Sequence, residues 1–387
     1  MKIEEKYSFL LLSFFMNFIF VGLYVFQLSS ENSSLFSTLF IPDGVIWLEQ
    51  IYSLFNEDDY FKAIFSSTVN RGNALLLMFY TIPLKINIYM VFVVNLFVFN
   101  VIALHMFLKS SIKYSFAVYL LVPYFWISMA LPSKDILVLF ITYIVYCSLL
   151  SKRVFIAVVF SVLCVYVRDG YGVLLLGFSF LYWLLLLLRV NKKAAIPVCI
   201  LMVFFLIGIS NYLVSEFYFV ARNVNVAQQS SNYSMTSDIG SYLSYAVRLY
   251  ANLTNLAFRP QFFNVYGGVD VLAVLYWLSG VCLLFVFSFS VYQLVFTKMS
   301  PDVELSVVFV LVMLIMISFN PMIQPRYLFS TMVVWPSIIG RVKLLSFPIL
   351  YLLFMCVSIL VYMMYELFSL GKMELVPYQS EVYKYFL

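Results

Sequence analysis

Between Met129 and Ile136 the chain reads Met-Ala-Leu-Pro-Ser-Lys-Asp-Ile, which sets a cation, Lys134, beside an anion, Asp135, between two long apolar runs. Ionisable groups at the edge of hydrocarbon cost about 2.5–3.5 kcal/mol on insertion scales, and where they persist they mark polar cavities or substrate paths. Similar charges interrupt other stretches: Arg168 with Asp169 in Val-Arg-Asp-Gly-Tyr-Gly, Arg259 in Phe-Arg-Pro, and Arg326 in Asn-Pro-Met-Ile-Gln-Pro-Arg-Tyr. Arg222 stands in the longest polar segment and Asp43 in Pro-Asp-Gly. Arginines and a lysine gathered at such depth suit a phosphate or diphosphate. Guanidinium donors match phosphate oxygens two at a time, and partial exclusion of water strengthens the attraction. A carboxylate beside them, Asp43 or Asp135, can take the proton from an attacking sugar hydroxyl while a lipid diphosphate departs. The cations stabilise the leaving charge, so this chemistry calls for no metal and no cofactor.

Each of these residues also has a plainer reading. Lys134 with Asp135, and Arg168 with Asp169, can be local pairs or interfacial anchors, since lysines at span ends ordinarily snorkel. Asp43 beside Gly44 suits a turn. Three adjacent acids, Glu57-Asp58-Asp59, read as a solvated loop rather than a metal site. The single histidine, His105, lies mid-run in Ile-Ala-Leu-His-Met and is expected to make an interhelical hydrogen bond rather than to catalyse. All five cysteines lie within apolar runs, and no Cys/His spacing of a metal site exists.

What must position such residues is a set of membrane helices. Apolar residues make up 64% of the 387 and charged residues 11%, against about 45–50% and 25% in soluble domains; mean hydropathy is +1.00. Nothing in that balance points to a nucleic-acid partner. The apolar runs place spans at about 8–28, 87–108, 114–131, 135–151, 154–168, 171–190, 195–217, 269–297, 303–321, 328–341 and 345–369. The expected fold is therefore an all-α polytopic integral membrane protein with about 11 transmembrane helices, the whole of 1–387 forming a single transmembrane domain. Lys2 and Lys6 precede an apolar run without a small-x-small cleavage site, so 8–28 reads as a retained first span.

Charge sets the orientation. With the N-terminus in the cytoplasm, twelve cations, Lys109, Lys113, Lys152 and Arg153 among them, face four acids in short cytoplasmic loops, while the remaining eleven face fourteen acids over longer external segments. The positive-inside rule selects this threading. Asn73 to Leu84 is too short to cross and is expected to be re-entrant or interfacial; read as a span, it would invert everything after it. Two large external loops result. The first, 29–87, carries a helical pattern over Trp47 to Tyr60 with apolar Trp47, Ile51, Leu54 and Phe55 on one side. The second, 218–269, is rich in Ser, Asn and Gln, and loops of that kind on a rigid scaffold often carry function. Asp43, Lys134, Asp135, Arg168, Arg222, Arg259 and Arg326 all open onto the external side.

This order of elements resembles the polytopic glycosyltransferases of the GT-C type: one span, a long external loop opening with Asp43, the short apolar helix at Asn73 to Leu84, and Arg326-Tyr327 before an apolar run ending at Pro336. Pro-Ser-Lys-Asp at 132–135 and Phe-Arg-Pro at 258–260 resemble stretches of bacterial surface-polysaccharide polymerases of the Wzy kind, which make O-antigen. One departure stands out: the first loop lacks the paired acidic motif common among members that use polyprenyl-phosphate sugars, which puts Asp43 in doubt as base. The resemblance implies a periplasmic reaction at the bacterial inner membrane. A growing glycan on undecaprenyl diphosphate is transferred onto the next lipid-linked repeat unit, with Lys134, Arg168, Arg259, Arg326 and Arg222 around the diphosphate and Asp43 or Asp135 as base. It also implies partners: the lipid-linked oligosaccharide, membrane lipid, and a chain-length regulator and flippase of the same pathway. Two other readings share the architecture. One is a GT-C transferase adding a single sugar from a polyprenyl-phosphate donor. The other is a flippase or transporter, which would line a mid-membrane cavity with charge, whereas here the mid-span positions are nearly bare.

Overall fold

The computed structural model describes residues 3–29, 50–55, 60–66, 74–87, 89–109, 125, 128–129, 133–187, 271–296, 301–318, 329–335, 338 and 356. Every regular element among them is helical. In order these are α1 (Ile3–Ser29), α2 (Tyr60–Ser66), α3 (Ala74–Ile86), α4 (Tyr89–Lys109), α5 (Lys134–Leu150), α6 (Val154–Val165), α7 (Asp169–Leu187), α8 (Val271–Phe296), α9 (Pro301–Ser318) and a short 3-10 helix (Phe329–Val334). Continuous apolar runs leave backbone N–H and C=O groups no water to bond, and the helix satisfies them within the segment. Among the described residues one helical stretch, Tyr89–Leu108, is long and apolar enough to cross a membrane.

Local signals set the ends. Pro301 opens α9 at the position where its missing N–H costs nothing. Asn87 separates α3 from α4, its Oδ1 accepting the Tyr89 N–H at 3.1 Å. The end of α5 is a Schellman motif: Lys152 N–H donates to the Leu149 carbonyl at 2.9 Å and Arg153 N–H to that of Ser148 at 2.7 Å. Lys152 takes the left-handed conformation (φ 57°) that glycine usually supplies there.

The core of the fold is the antiparallel run α5–α6–α7. α6 packs against both neighbours, and the 3-10 helix, α4, α7 and α9 pack with α5 or α7 around it. Phe178 of α7 meets Phe309 of α9 edge-on with centroids 4.9 Å apart, and α1 joins α4 through Phe9 stacked on Phe107 at 4.3 Å. Polar residues tie the same helices. Asn17 and Asn100 exchange side-chain hydrogen bonds at 3.0 and 2.9 Å between α1 and α4. His105 Nδ1 lies 2.6 Å from the Tyr143 hydroxyl, joining α4 to α5. The outward surface is apolar: Leu11, Phe14 and Phe155 are 75%, 73% and 80% exposed.

Of the pattern over Trp47 to Tyr60, the described residues 50–54 are helical, with Ile51 and Leu54 buried and Tyr52 exposed. One expectation looks different in the structure. The span expected at 328–341 begins as six residues of 3-10 helix, with Trp335 and Ile338 helical beyond it. Pro336 withdraws the donor that an α-helix would supply to the Met332 carbonyl. Apart from Phe125, Ser128, Met129 and Cys356, the runs at 114–131, 195–217 and 345–369 lie outside the described residues, as does the whole of 218–269.

Candidate functional site

Asp135 enters the site through a helix start. Pro132 cannot donate to a helix, and Ser133 behind it adopts extended backbone (φ −128°, ψ 125°) while its Oγ accepts the Asp135 N–H at 3.1 Å. Ser133 is thus the N-cap of α5, and Asp135 lies in the first turn, where a carboxylate meets the positive end of the helix dipole. Lys134 is the first residue of α5 and is half-buried.

Arg168 arrives from the next hairpin. Three residues, Tyr166 to Arg168, join α6 to α7, with Arg168 N–H donating to the Cys164 carbonyl at 2.8 Å and Gly172 N–H to that of Arg168 at 2.9 Å. The hairpin closes tightly because residue 172 has no side chain: a Cβ there would stand 2.3 Å from Val165 N and 2.6 Å from its Cα. The turn so formed carries Arg168 to α5, where its Nη1 donates to Asp135 Oδ1 at 2.7 Å. The side chains of Arg168 and Asp135 are 18% and 11% exposed. A charge-assisted contact with this little water around it is stronger than the same pair at a surface. Lys152 and Arg153, both exposed, mark the opposite end of the α5–α6 hairpin.

A second layer lies under the pair. The Tyr80 hydroxyl of α3 donates to Asn95 Oδ1 of α4 at 2.6 Å and approaches the Ser133 carbonyl at 3.3 Å. Asn95 Nδ2 donates to the Met129 carbonyl at 2.9 Å. Both side chains are fully buried. Burial pushes the Tyr80 phenol well above the usual tyrosine range, and the nearby Asp135 charge acts the same way, so Tyr80 remains a donor. Further along α5, Thr142 Oγ1 lies 3.4 Å from the Tyr171 hydroxyl and Tyr146 shares a hydrogen bond with Ser306 at 2.6 Å.

Of the residues expected to act, the structure brings Asp135 and Arg168 into contact, and Lys134 precedes Asp135 at the start of α5. Asp43, Arg222, Arg259 and Arg326 lie outside the described residues. The 3-10 helix that starts three residues after Arg326 packs against α5. Tyr80, Asn95 and Ser133 were not expected at the site. Asn95 did carry a signal, because an amide in the middle of an apolar run is costly unless it finds a partner. Among the described residues no three of His, Cys, Asp and Glu gather as a metal site.

Among the described residues, fold and site define an all-helical arrangement with an apolar outer surface, a helix long and apolar enough to cross a membrane, and an ion pair between the start of α5 and the α6–α7 turn. The chain matches no protein-family model, no curated protein and no solved structure.

Proposed function

We propose that this chain is a membrane glycosyltransferase that polymerises undecaprenyl-diphosphate-linked oligosaccharide repeat units into O-antigen or a related surface polysaccharide. It works at the periplasmic face of the bacterial inner membrane, with about 11 transmembrane helices and its N-terminus in the cytoplasm. One observation carries the reading: two charged turns, 33 residues apart and both expected on the external side, meet through Arg168 and Asp135. Lys134 adds a second cation within one residue of that contact.

In the reaction, a hydroxyl at the non-reducing end of the incoming repeat unit attacks the anomeric carbon that joins the growing glycan to its diphosphate. The new glycosidic bond forms as the bond from the anomeric carbon to the diphosphate oxygen breaks. The hydroxyl proton passes to a carboxylate, Asp135 or Asp43, and undecaprenyl diphosphate leaves. Lys134, Arg168, Arg222, Arg259 and Arg326 stabilise the charge that develops on it. A low-water setting makes each cation count for more, which is why placement at the end of packed helices matters.

Deleting the gene in its host and running surface polysaccharide on a gel tests this. A glycolipid core bearing one repeat unit, restored to a full ladder by the wild-type gene and not by Lys134→Ala or Arg168→Ala, is the expected result. Full-length polymer from both variants contradicts it. Loss of every unit, or of a single sugar, assigns the chain to an earlier or a one-sugar transfer.

A further inference from the structure

We infer that Tyr80 and Asn95 are positioning residues that set the Lys134–Asp135 turn for the transfer, an assignment that rests on the polymerase reading above. The backbone leading into the turn is held twice. Asn95 Nδ2 binds the Met129 carbonyl at 2.9 Å, and the Tyr80 hydroxyl reaches the carbonyl of Ser133, the residue before Lys134, at 3.3 Å. The two holders are themselves joined at 2.6 Å. From there the chain of contacts runs without a break to the ion pair: Ser133 Oγ accepts the Asp135 N–H, and Asp135 Oδ1 accepts from Arg168.

The arrangement costs what a purely packing role would not require. Phenylalanine fills the place of Tyr80, and leucine that of Asn95, without bringing polar atoms into a fully buried position. What the polar pair adds is direction. It couples the short helix α3 and its neighbour α4 to the backbone that leads into the turn, and the hydrogen bonds fix the turn more narrowly than apolar contact does. Groups that act on a transition state must be held within a fraction of an ångström, and displacement of about 1 Å can cost on the order of a hundredfold in rate.

The test uses the purified full-length chain in lipid nanodiscs, with undecaprenyl-diphosphate-linked repeat units from the host as substrate. Tyr80→Phe removes only the hydroxyl; Tyr146→Phe removes an equally placed hydroxyl whose partner is Ser306, away from the turn. The expected result is a fall in kcat of about tenfold or more for Tyr80→Phe, with KM within about twofold of wild type, while Tyr146→Phe keeps its kcat. Asn95→Ser breaks the same network from α4, is expected to show the same split, and carries the test if Tyr80→Phe does not accumulate. Unchanged kcat in Tyr80→Phe and Asn95→Ser, or an equal fall in Tyr146→Phe, overturns the inference. A wild-type chain that forms no polymer defeats the polymerase reading instead.

Discussion

Arg168 and Asp135 form an ion pair at 2.7 Å, and both are largely withdrawn from water. Removing one member of such a pair takes compensation from the other's charge where solvation is poor, a loss of up to about 3–5 kcal/mol. Arg168→Ala is therefore expected to lower the midpoint of thermal unfolding in detergent, and Asp135→Asn to lower it less, because an amide oxygen still accepts from the guanidinium. Reversing the pair, Arg168→Asp with Asp135→Arg, is expected to recover most of the stability without recovering chain extension. Recovery of both in the reversed protein would make the pair a staple and nothing more. Lys134→Ala, at the half-buried first position of α5, is expected to destabilise less than Arg168→Ala while losing extension.

The elements depend on a few backbone positions. Gly172→Ala has nowhere to put its methyl, because the atoms in the way are Val165 backbone. Overpacking of this kind costs about 1–3 kcal/mol, and here it also pushes apart the hairpin that delivers Arg168. At Gly22 in α1 nothing lies within 4 Å of a Cβ, so Gly22→Ala is expected to be neutral or to stabilise by about 1 kcal/mol. Equal unfolding temperatures for the two variants would refute the close-packing account. At the other end of the α5–α6 hairpin, Lys152→Gly is expected to stabilise by about 1 kcal/mol, since it relieves the left-handed backbone at φ 57°. Helices of this kind are legible in sequence because lipid-like runs admit little else: α4, α5, α7 and α8 begin and end within a few residues of the expected 87–108, 135–151, 171–190 and 269–297. The 3-10 start at Phe329 was not legible, since hydropathy reports burial and not hydrogen-bond register. The pairing of Asp135 with Arg168 was visible only as a shared side of the membrane. Nor was the Tyr80–Asn95–Ser133 chain, because its members come from three elements and their meeting is decided by packing.

Two kinds of charge mark the opposite ends of the α5–α6 hairpin in the whole molecule: Arg168 with Asp135 at one, Lys152 with Arg153 at the other. Short basic loops stay in the cytoplasm, so a cysteine-free chain carrying Lys152→Cys is expected to react with an impermeant maleimide only after cells are opened. Lys62→Cys, on the exposed side of α2 and within the segment expected from the sequence to form the first external loop, is expected to react in intact cells whose outer membrane has been made leaky. Equal labelling of both positions from outside would reverse or dissolve the threading. The apolar outer surface of α1, α4 and α6 fits the same picture, since so many large exposed side chains need lipid or a partner to cover them. The most direct measurement supplies purified wild-type chain in nanodiscs with lipid-linked repeat units and follows both glycan length and free undecaprenyl diphosphate. The expected result is a ladder with one lipid diphosphate released per added unit, and neither product from Arg168→Ala. No ladder from the wild type, or an undiminished ladder from Arg168→Ala, contradicts it.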